Sequence, residues 1–472
     1  MVMRIPRVVV AAPATGHGKT SVATGLMAAL RARGLVVSGH KIGPDFIDPG
    51  YHALATGLPP RNLDPILQGE HRVAPLLAHG ARSADMAVIE GVMGLFDGAP
   101  GTRGAASTAH VATLVSAPVL LVVDAWTASR SIAATTLGFA RYDPAVRIAG
   151  VILNRVSSRG HEEEIREALD RTGVPVLGVL PYDESLRAPD RHLGLVPAGE
   201  RGADGPALVS SLAAWVESGV DLDAVVRVAR SAPPLPAEPW EPEPPRREHA
   251  GTDWRASKRA GKRAGRQAGR HCVAAASGAA FTFRYTETVE LLAAEGIDVV
   301  DFDPLRDETL PEGCSGLYLG GGFPEAHATE LSANTPLRDA IADAVARGMP
   351  VVAECAGLLY LCRDLDGMPM TGVLDAAGRM SGGGALGYRE ATSPRDSLLA
   401  ARGLSVSGHE FHRTVVEPRH GPNPAWEWDG RAEGFASASL HASYLHVHWA
   451  GHPAVARRFA SAVHGWAARD PE

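Results

Sequence analysis

The chain has 472 residues, enough for two to four domains. Hydrophobic residues make up 45% and charged residues 21%, while Gly and Pro together number 87, below the level of a disordered or collagen-like chain. A net charge of −7 argues against a nucleic-acid protein driven by bulk charge, and four cysteines without a CxxC pair exclude a disulfide framework and disfavour a Cys-rich zinc site.

From residue 1 to about 230, short apolar runs alternate with helix-periodic stretches. The runs are Val8–Val10, Met86–Ile89, Val119–Val123, Ile148–Leu153 and Val176–Val179. Each is nearly continuous in apolar residues, as a strand buried on both faces must be. Val22, Leu26 and Leu30 share one face of a helix. This alternation predicts a parallel α/β sheet. Residues 231–245 hold seven prolines and residues 246–270 hold nine Lys/Arg against two acids. Proline excludes helix and central strand, so 231–270 reads as one linker, Pro-rich and then basic. After 270 the pattern restarts. Cys272–Ala276, Val299–Phe302, Gly316–Leu319 and Val351–Ala353 are strand-like, and Glu287–Ala294 and Leu337–Arg347 are helix-like. The C-terminal end is richer in Trp and His, which predicts a mixed second domain. No run of eighteen apolar residues occurs and the N-terminal apolar run is too short for a signal sequence, so a cytoplasmic, reduced protein is expected.

Residues 8–20, VVVAAPATGHGKT, read strand, loop and helix start. Gly16 and Gly18 let backbone N–H groups close around phosphate. Lys19 supplies a point charge, and Thr20 or Ser21 a hydroxyl for Mg²⁺. Pro13 stands where the usual phosphate-loop pattern has Gly, so the match is incomplete. Next comes KIGPDFIDPGYH from Lys41, with Asp45 and Asp48 among Pro and Gly on a loop. The pair either holds Mg²⁺, orients a substrate, or merely caps helices and closes Asx-turns. Glu90 ends a buried strand beside the phosphate loop, where it can reach a metal. Thr20, Asp45 and Glu90 are the expected metal set.

Further on, Val351–Glu354, Cys355 and Ala356–Leu361 read strand, sharp turn, helix. This is a nucleophile elbow with Cys355 at its apex. The helix start is expected to favour thiolate. Backbone N–H groups of Ala356 and of Gly321 and Gly322, in the strand end LGGGFPE, can stabilise an oxyanion. Far downstream lies ASYLHVHW, where His446 and His448 would share one strand face and either could be the base.

These blocks together resemble the cobyrinate or hydrogenobyrinate a,c-diamide synthase family. The resemblance rests on the phosphate loop, KIGPDFIDPGYH, VIEGVMGLFDG, GVILNRV, RHLGLVPAGE, AFTFRY, YLGGGFPE, AECAGLLYL, GHEFHRT and ASYLHVHW, in order along nearly the whole chain outside the linker. It implies a synthetase domain similar to dethiobiotin synthetase over 1–230 and a class I-like glutamine amidotransferase domain over 271–472; the basic linker between them is not part of the family pattern. The implied reaction is ATP- and glutamine-dependent amidation of the a and c carboxylates of a corrinoid in cobalamin biosynthesis. Cys355 would attack glutamine with His446 as its base. Lys19 would act on ATP, with Mg²⁺ as cofactor. Asp45, Asp48 and Glu90 match acidic positions of the synthetase site, and Asp97 falls near the substrate carboxylates or the metal. The implied partners are the corrinoid, glutamine and ATP; no membrane or nucleic acid is expected, and a homodimer remains open.

Two positions depart from the pattern. His448 stands where class I amidotransferases carry the Glu of a Cys–His–Glu triad; the resembled family also lacks that Glu, which implies slow or loosely oriented glutaminase chemistry. Ala356 replaces a frequent Gly, with its N–H retained. Amidation of other corrinoid carboxylates, as by cobyric acid synthase, is the nearest alternative. A deviant phosphate-loop switch would explain the first 200 residues but leave the Cys355 elbow without a task.

Overall fold

Residues 3–186, 190–191, 194–242 and 271–469 are described by a computed structural model. The chain divides into two compact units, Met1–Glu241 and Pro242–Glu472.

The first unit is built on seven strands: β1 (Arg7–Ala11), β2 (Val37–Ile42), β3 (Arg61–Leu63), β4 (Met86–Glu90), β5 (Val119–Asp124), β6 (Ile148–Val156) and β7 (Val176–Pro181). They pair in the order β3-β2-β4-β1-β5-β6-β7, all parallel. The five apolar runs fall on β1, β4, β5, β6 and β7. β2 and β3 escape an apolar-run reading because their buried residues include His40, Lys41, Arg61 and Asn62. β1 lies between β4 and β5, so the chain leaves its C-terminal end where strand order reverses, the place where open α/β sheets bind ligands. Helix α1 (Lys19–Ala32) follows the phosphate loop and buries Val22, Leu26 and Leu30, as their spacing predicts. Helix α2 (Asp48–Thr56) begins on the second acid of the DFIDP segment. A short antiparallel pair, β8 (Asp190–Arg191) and β9 (Gly194–Leu195), opens the RHLGLVPAGE block, part of which is outside the described residues.

The Pro-rich stretch begins as part of this unit rather than as linker. Met3 and Leu235 exchange backbone hydrogen bonds at 3.1 and 2.8 Å, and Leu235 is fully buried. The buried Arg7 guanidinium donates to the Pro233 carbonyl at 2.7 Å, and Trp240 N–H donates to Pro75 at 2.9 Å. Proline cannot continue a helix, but its carbonyl still accepts, and that is how this segment is held. The basic residues 246–270 lie outside the described residues.

The second unit has a six-stranded sheet: β10 (His271–Ala276), β11 (Ile297–Phe302), β12 (Cys314–Leu319), β13 (Val351–Glu354), β20 (Phe435–Ala436) and β21 (Leu440–Ser443), ordered β11-β10-β12-β13-β21-β20. All neighbours are parallel except β20 and β21. A second, mixed sheet is ordered β15-β14-β16-β17-β22, from β14 (Cys362–Leu365), β15 (Met368–Pro369), β16 (Leu374–Thr392), β17 (Ser405–Glu417) and β22 (His446–Val447). β18 (Trp426–Trp428) and β19 (Arg431–Glu433) hang from β16. The chain crosses from the first sheet to the second between β21 and β22, and His446 is the first residue after the crossing.

Candidate functional sites

In the first unit the phosphate loop closes over the end of β1. Gly16 and Gly18 have φ of 87° and 92°, a region that favours glycine. A Cβ on Gly18 would also sit 2.3 Å from Asn154 Nδ2, which itself donates to His17 O at 2.9 Å. Asn154 and Arg155, at the end of β6, thus brace the loop; Arg155 pairs with Asp124 and lies 3.5 Å from Gly16 O. Lys19 opens α1, and its ammonium reaches Met93 O at 2.5 Å and Ala14 O at 3.2 Å. Burial, then the nearby Lys41, lowers its pKa to about 8.

Beside the loop lies a cluster of buried charges. Lys41 Nζ is 2.5 Å from Asp48 Oδ2, 2.9 Å from Glu90 Oε1 and 3.0 Å from Gly91 O. Thr20 Oγ1 donates to Glu90 at 2.7 Å and lies 3.2 Å from Asp48. His52 Nε2 approaches Glu90 Oε2 at 2.6 Å. Burial drives the Lys41 pKa down, but Asp48, Glu90 and Asp45 outweigh it and hold the ammonium charged. Burial likewise pushes Glu90 up, yet Lys41 and the His52 hydrogen bond hold it well below the usual carboxylate range. Asp48 is the acid that gives way: burial, Asp45 and Glu90 raise it well above the usual value. A cavity of about 730 Å³ is lined by Gly16, Gly18, Lys19, Thr20, Ser21, Lys41, Asp45, Asp48, Asn154, Arg155, Tyr182 and Trp215, among others.

This geometry separates residues that the spacing had grouped. Asp45 Oδ1 accepts the N–H groups of Ile47 and Asp48 at 2.9 Å each, so its first task is an Asx-turn opening α2. Asp48 is the acid that meets Thr20 and Glu90. Asp97 Oδ2 accepts Gly94 N–H at 3.0 Å and closes its own loop; it is not among the described cavity-lining residues. Lys41 and His52, inside the KIGPDFIDPGYH block, belong to this site although no spacing pattern singles them out. The signal was available: a lysine ending a strand beside three acids needs those acids to stay charged once buried. Among the described residues no group of three His, Cys, Asp or Glu is arranged around a metal. The Thr20 hydroxyl with the Asp48 and Glu90 carboxylates is nevertheless an all-oxygen donor set of the kind Mg²⁺ takes when nucleotide phosphates supply the rest.

In the second unit, Cys355 has φ 50° and ψ −94°, a strained conformation for a residue with a side chain. Its N–H donates to Ser443 O at 2.8 Å, pinning the turn to β21. The elbow needs a close approach: a Cβ on Gly357 would sit 2.2 Å from Leu319 O. Burial, then the charge of Glu325, pushes the Cys355 thiol up, not down. The six-residue helix after it does not offset this, contrary to the sequence expectation of a ready thiolate. The resting sulfur is therefore a thiol that needs a base.

His446 supplies an imidazole beside the glycine strand end. A Cβ on Gly321 would be 2.6 Å from His446 Cε1, and the Phe283 ring meets His446 edge-on at 5.1 Å. Its Nδ1 lies 3.8 Å from Glu354 Oε2. His448 goes elsewhere: its Nε2 is 3.6 Å from Glu287 Oε2 and its ring lies against Tyr285 at 4.1 Å. The two histidines thus do not act on one face, because β22 ends at Val447. Of the oxyanion candidates, Gly321 N–H is already donated to Phe283 O at 3.1 Å. Gly322 and Ala356 remain as the candidate donors. Nearby, Arg389 Nε donates to Glu410 Oε2 at 2.7 Å, and the charge of Glu410 is also felt at Cys355.

Two family models match the chain: a CobQ/CobB/MinD/ParA nucleotide binding domain over residues 8–196, and a CobB/CobQ-like glutamine amidotransferase domain over 272–454. Among curated proteins, the chain is 57% identical to a hydrogenobyrinate a,c-diamide synthase of Streptomyces coelicolor, covering 96% of this chain and 97% of that one. It is 56% identical to one from Thermobifida fusca, over 97% of both. It is 43% identical to a cobyrinate a,c-diamide synthase of Gloeobacter violaceus, over 96% of both. With near-complete coverage at these identities, and with an acid-lined phosphate loop and a cysteine elbow in one chain, the protein belongs to the cobyrinate and hydrogenobyrinate a,c-diamide synthase family.

Proposed function

We propose that this protein uses ATP and glutamine to amidate the a and c carboxylates of hydrogenobyrinate, the cobalt-free corrinoid. The observation that carries the reading is the coexistence of two chemistries in one chain: a phosphate cavity rich in buried acids, and a strained, buried cysteine turn in the unit that also buries His446 against a glycine strand end. The cobalt-free substrate is favoured because the relatives at 50–57% identity are named for hydrogenobyrinate, while those at 38–43% are named for cobyrinate.

The glutaminase half begins with proton transfer from the Cys355 thiol to His446. The sulfur then attacks the carboxamide carbon of glutamine, and the N–H groups of Ala356 and Gly322 receive the developing oxyanion. As the C–N bond breaks, His446 returns the proton to the leaving ammonia. Water then hydrolyses the thioester to glutamate and restores the thiol.

The synthetase half must activate a carboxylate, whose own leaving group would be oxide. Transfer of the ATP γ-phosphoryl group gives an acyl phosphate, and ammonia displaces phosphate. Lys19 and the phosphate-loop N–H groups hold the triphosphate. Mg²⁺ would be held by Thr20 and Glu90 with Asp48 beside them, and when bound it neutralises phosphate charge. Lys41 holds Glu90 ionised and presents a cation to the cavity. A cytoplasmic location fits this use of ATP and glutamine, and no helix among the described residues is long and apolar enough to cross a membrane.

The test is direct. Purified protein with ATP, Mg²⁺ and glutamine is offered hydrogenobyrinate or cobyrinate, and products are counted by mass. A diamide from hydrogenobyrinate, formed much faster than from cobyrinate, is expected. A monoamide end-product, amidation at other positions, or ATP turnover without amidation would overturn the reading.

A further inference from the structure

We propose that Glu354 is the positioning carboxylate of the glutaminase site, taking over from the opposite side the work of the acid that this chain lacks two residues after His446. This rests on the assignment of Cys355 as nucleophile and His446 as base. In the triad arrangement the acid follows the histidine on its own strand. Here that place is held by His448, which turns to Glu287 and Tyr285.

The replacement comes from the elbow strand. Glu354 is the last residue of β13 and pairs in register with Ser443 of β21, three residues before His446. Its side chain and that of His446 are 3% and 1% exposed, and Oε2 faces His446 Nδ1 at 3.8 Å. Tyr318, from the neighbouring β12, donates its hydroxyl to the same Oε2 at 2.9 Å and fixes the carboxylate. The Phe283 ring and His409, its register partner on β17, are also turned toward His446. Burial, then His446 and Arg389, lowers the His409 pKa to about 3, so it is neutral and cannot balance an imidazolium. Of the groups named, Glu354 carries the carboxylate that faces the imidazole, while Glu325 and Glu410 also act on Cys355 by charge.

The position is costly on any other account. A carboxylate buried next to a nucleophilic thiol opposes formation of the thiolate, and buried charge is expensive unless it is paired. The cost is offset once His446 has accepted the thiol proton. The imidazolium then lies against Glu354, and the 3.8 Å gap, too long for a resting hydrogen bond, becomes an ion pair. Nδ1 is held by the carboxylate, which leaves Nε2 for the thiol proton. The logic is that of an orienting acid, delivered by the residue adjacent to the nucleophile instead of by the strand of the base.

The experiment compares Glu354→Gln, Tyr318→Phe, Cys355→Ala and the wild type in three assays. These are glutamine-driven amidation, ammonia-driven amidation, and the rate at which a glutamine-like chloroketone alkylates Cys355. Glu354→Gln keeps the shape and removes the charge. It is expected to lower glutamine-driven kcat and the alkylation rate at least tenfold, with the glutamine KM within about twofold and ammonia-driven amidation unchanged. Tyr318→Phe should give a smaller loss of the same kind. A Glu354→Gln enzyme with wild-type glutamine-driven kcat sinks the proposal. If that variant also loses the ammonia-driven reaction, Tyr318→Phe decides: a glutamine-specific loss supports the role, and no loss refutes it. Cys355→Ala separates the two levels. If it keeps glutamine use, the nucleophile assignment and this inference fall together; if it is inactive while Glu354→Gln is not, only the inference falls.

Discussion

His52 Nε2 and Glu90 Oε2 lie 2.6 Å apart with both side chains fully buried. The other oxygen of Glu90 faces Lys41 and Thr20. His52 therefore sets the rotation of the carboxylate that meets the phosphate-side hydroxyl. Partners of this kind typically contribute 10- to 100-fold in metal affinity or activity. His52→Leu is expected to lower ATP-dependent amidation by about that factor with either glutamine or ammonia, while Cys355 still alkylates at the wild-type rate. Equal loss of both functions would mark a folding defect instead.

Lys19 binds phosphate only while it is protonated, and its pKa in the free protein is lowered to about 8. Below that pH the ammonium is charged. Above it, nucleotide binding must first take up a proton. ATP affinity is expected to hold steady from pH 6.5 to 7.5 and to weaken above 8, by up to about tenfold per pH unit. Calorimetric titrations in buffers of different ionisation enthalpy would show the proton uptake. Lys19→Arg, charged throughout, should flatten the profile if it binds at all, and Lys19→Ala should abolish ATP turnover while leaving glutaminase chemistry in place.

Gly321 has no room for a methyl group, since its Cβ would lie 2.6 Å from His446 Cε1 and 3.0 Å from Phe283. Gly321→Ala should displace the imidazole. Glutamine-driven amidation is expected to drop at least 100-fold, with ammonia-driven amidation retained. The comparison is steady-state kinetics with each nitrogen donor. A mild effect on glutamine use would mean that His446 is not the base.

Glu433 is buried, accepts from Ser443 Oγ at 2.6 Å and Tyr444 N–H at 2.8 Å, and burial raises its pKa to about 7. The folded pKa is above the unfolded one, so the stability it lends is full below about 4.5 and is lost as pH rises to about 7. The size is about 3 kcal/mol. Glu433→Gln cannot ionise. Relative to wild type, it should gain stability between pH 5 and pH 7.5, read from urea unfolding of the C-terminal unit by its tryptophan fluorescence. A constant difference across that range would refute the assignment.

Much of this was legible from residue patterns. Strands buried on both faces announce themselves as apolar runs, and the elbow announces itself as strand, Cys, helix. β2 and β3 did not, because the residues that serve the site, Lys41 above all, replace the apolar ones there. Spacing placed Asp45 and Asp48 together but could not say that one turns to its own backbone and the other to Thr20. Prolines mark 231–245 as neither helix nor central strand and 231–270 as linker; within it Pro233 and Leu235 dock on the first unit, since carbonyls accept where proline has no donor. The Glu354–His446 approach brings β13 and β22 together from 92 residues apart, beyond any local pattern.

Cys355 occupies backbone space that only glycine enters without strain. Here reactivity and durability pull in opposite directions. In ordinary elements alanine is the better substitute, and glycine weakens the fold. At this position the order should reverse: Cys355→Gly, inactive with glutamine, should melt at a higher temperature than Cys355→Ala, because the strain, of order 1–3 kcal/mol, is released. The enzyme keeps its least comfortable residue as the one that forms the bond.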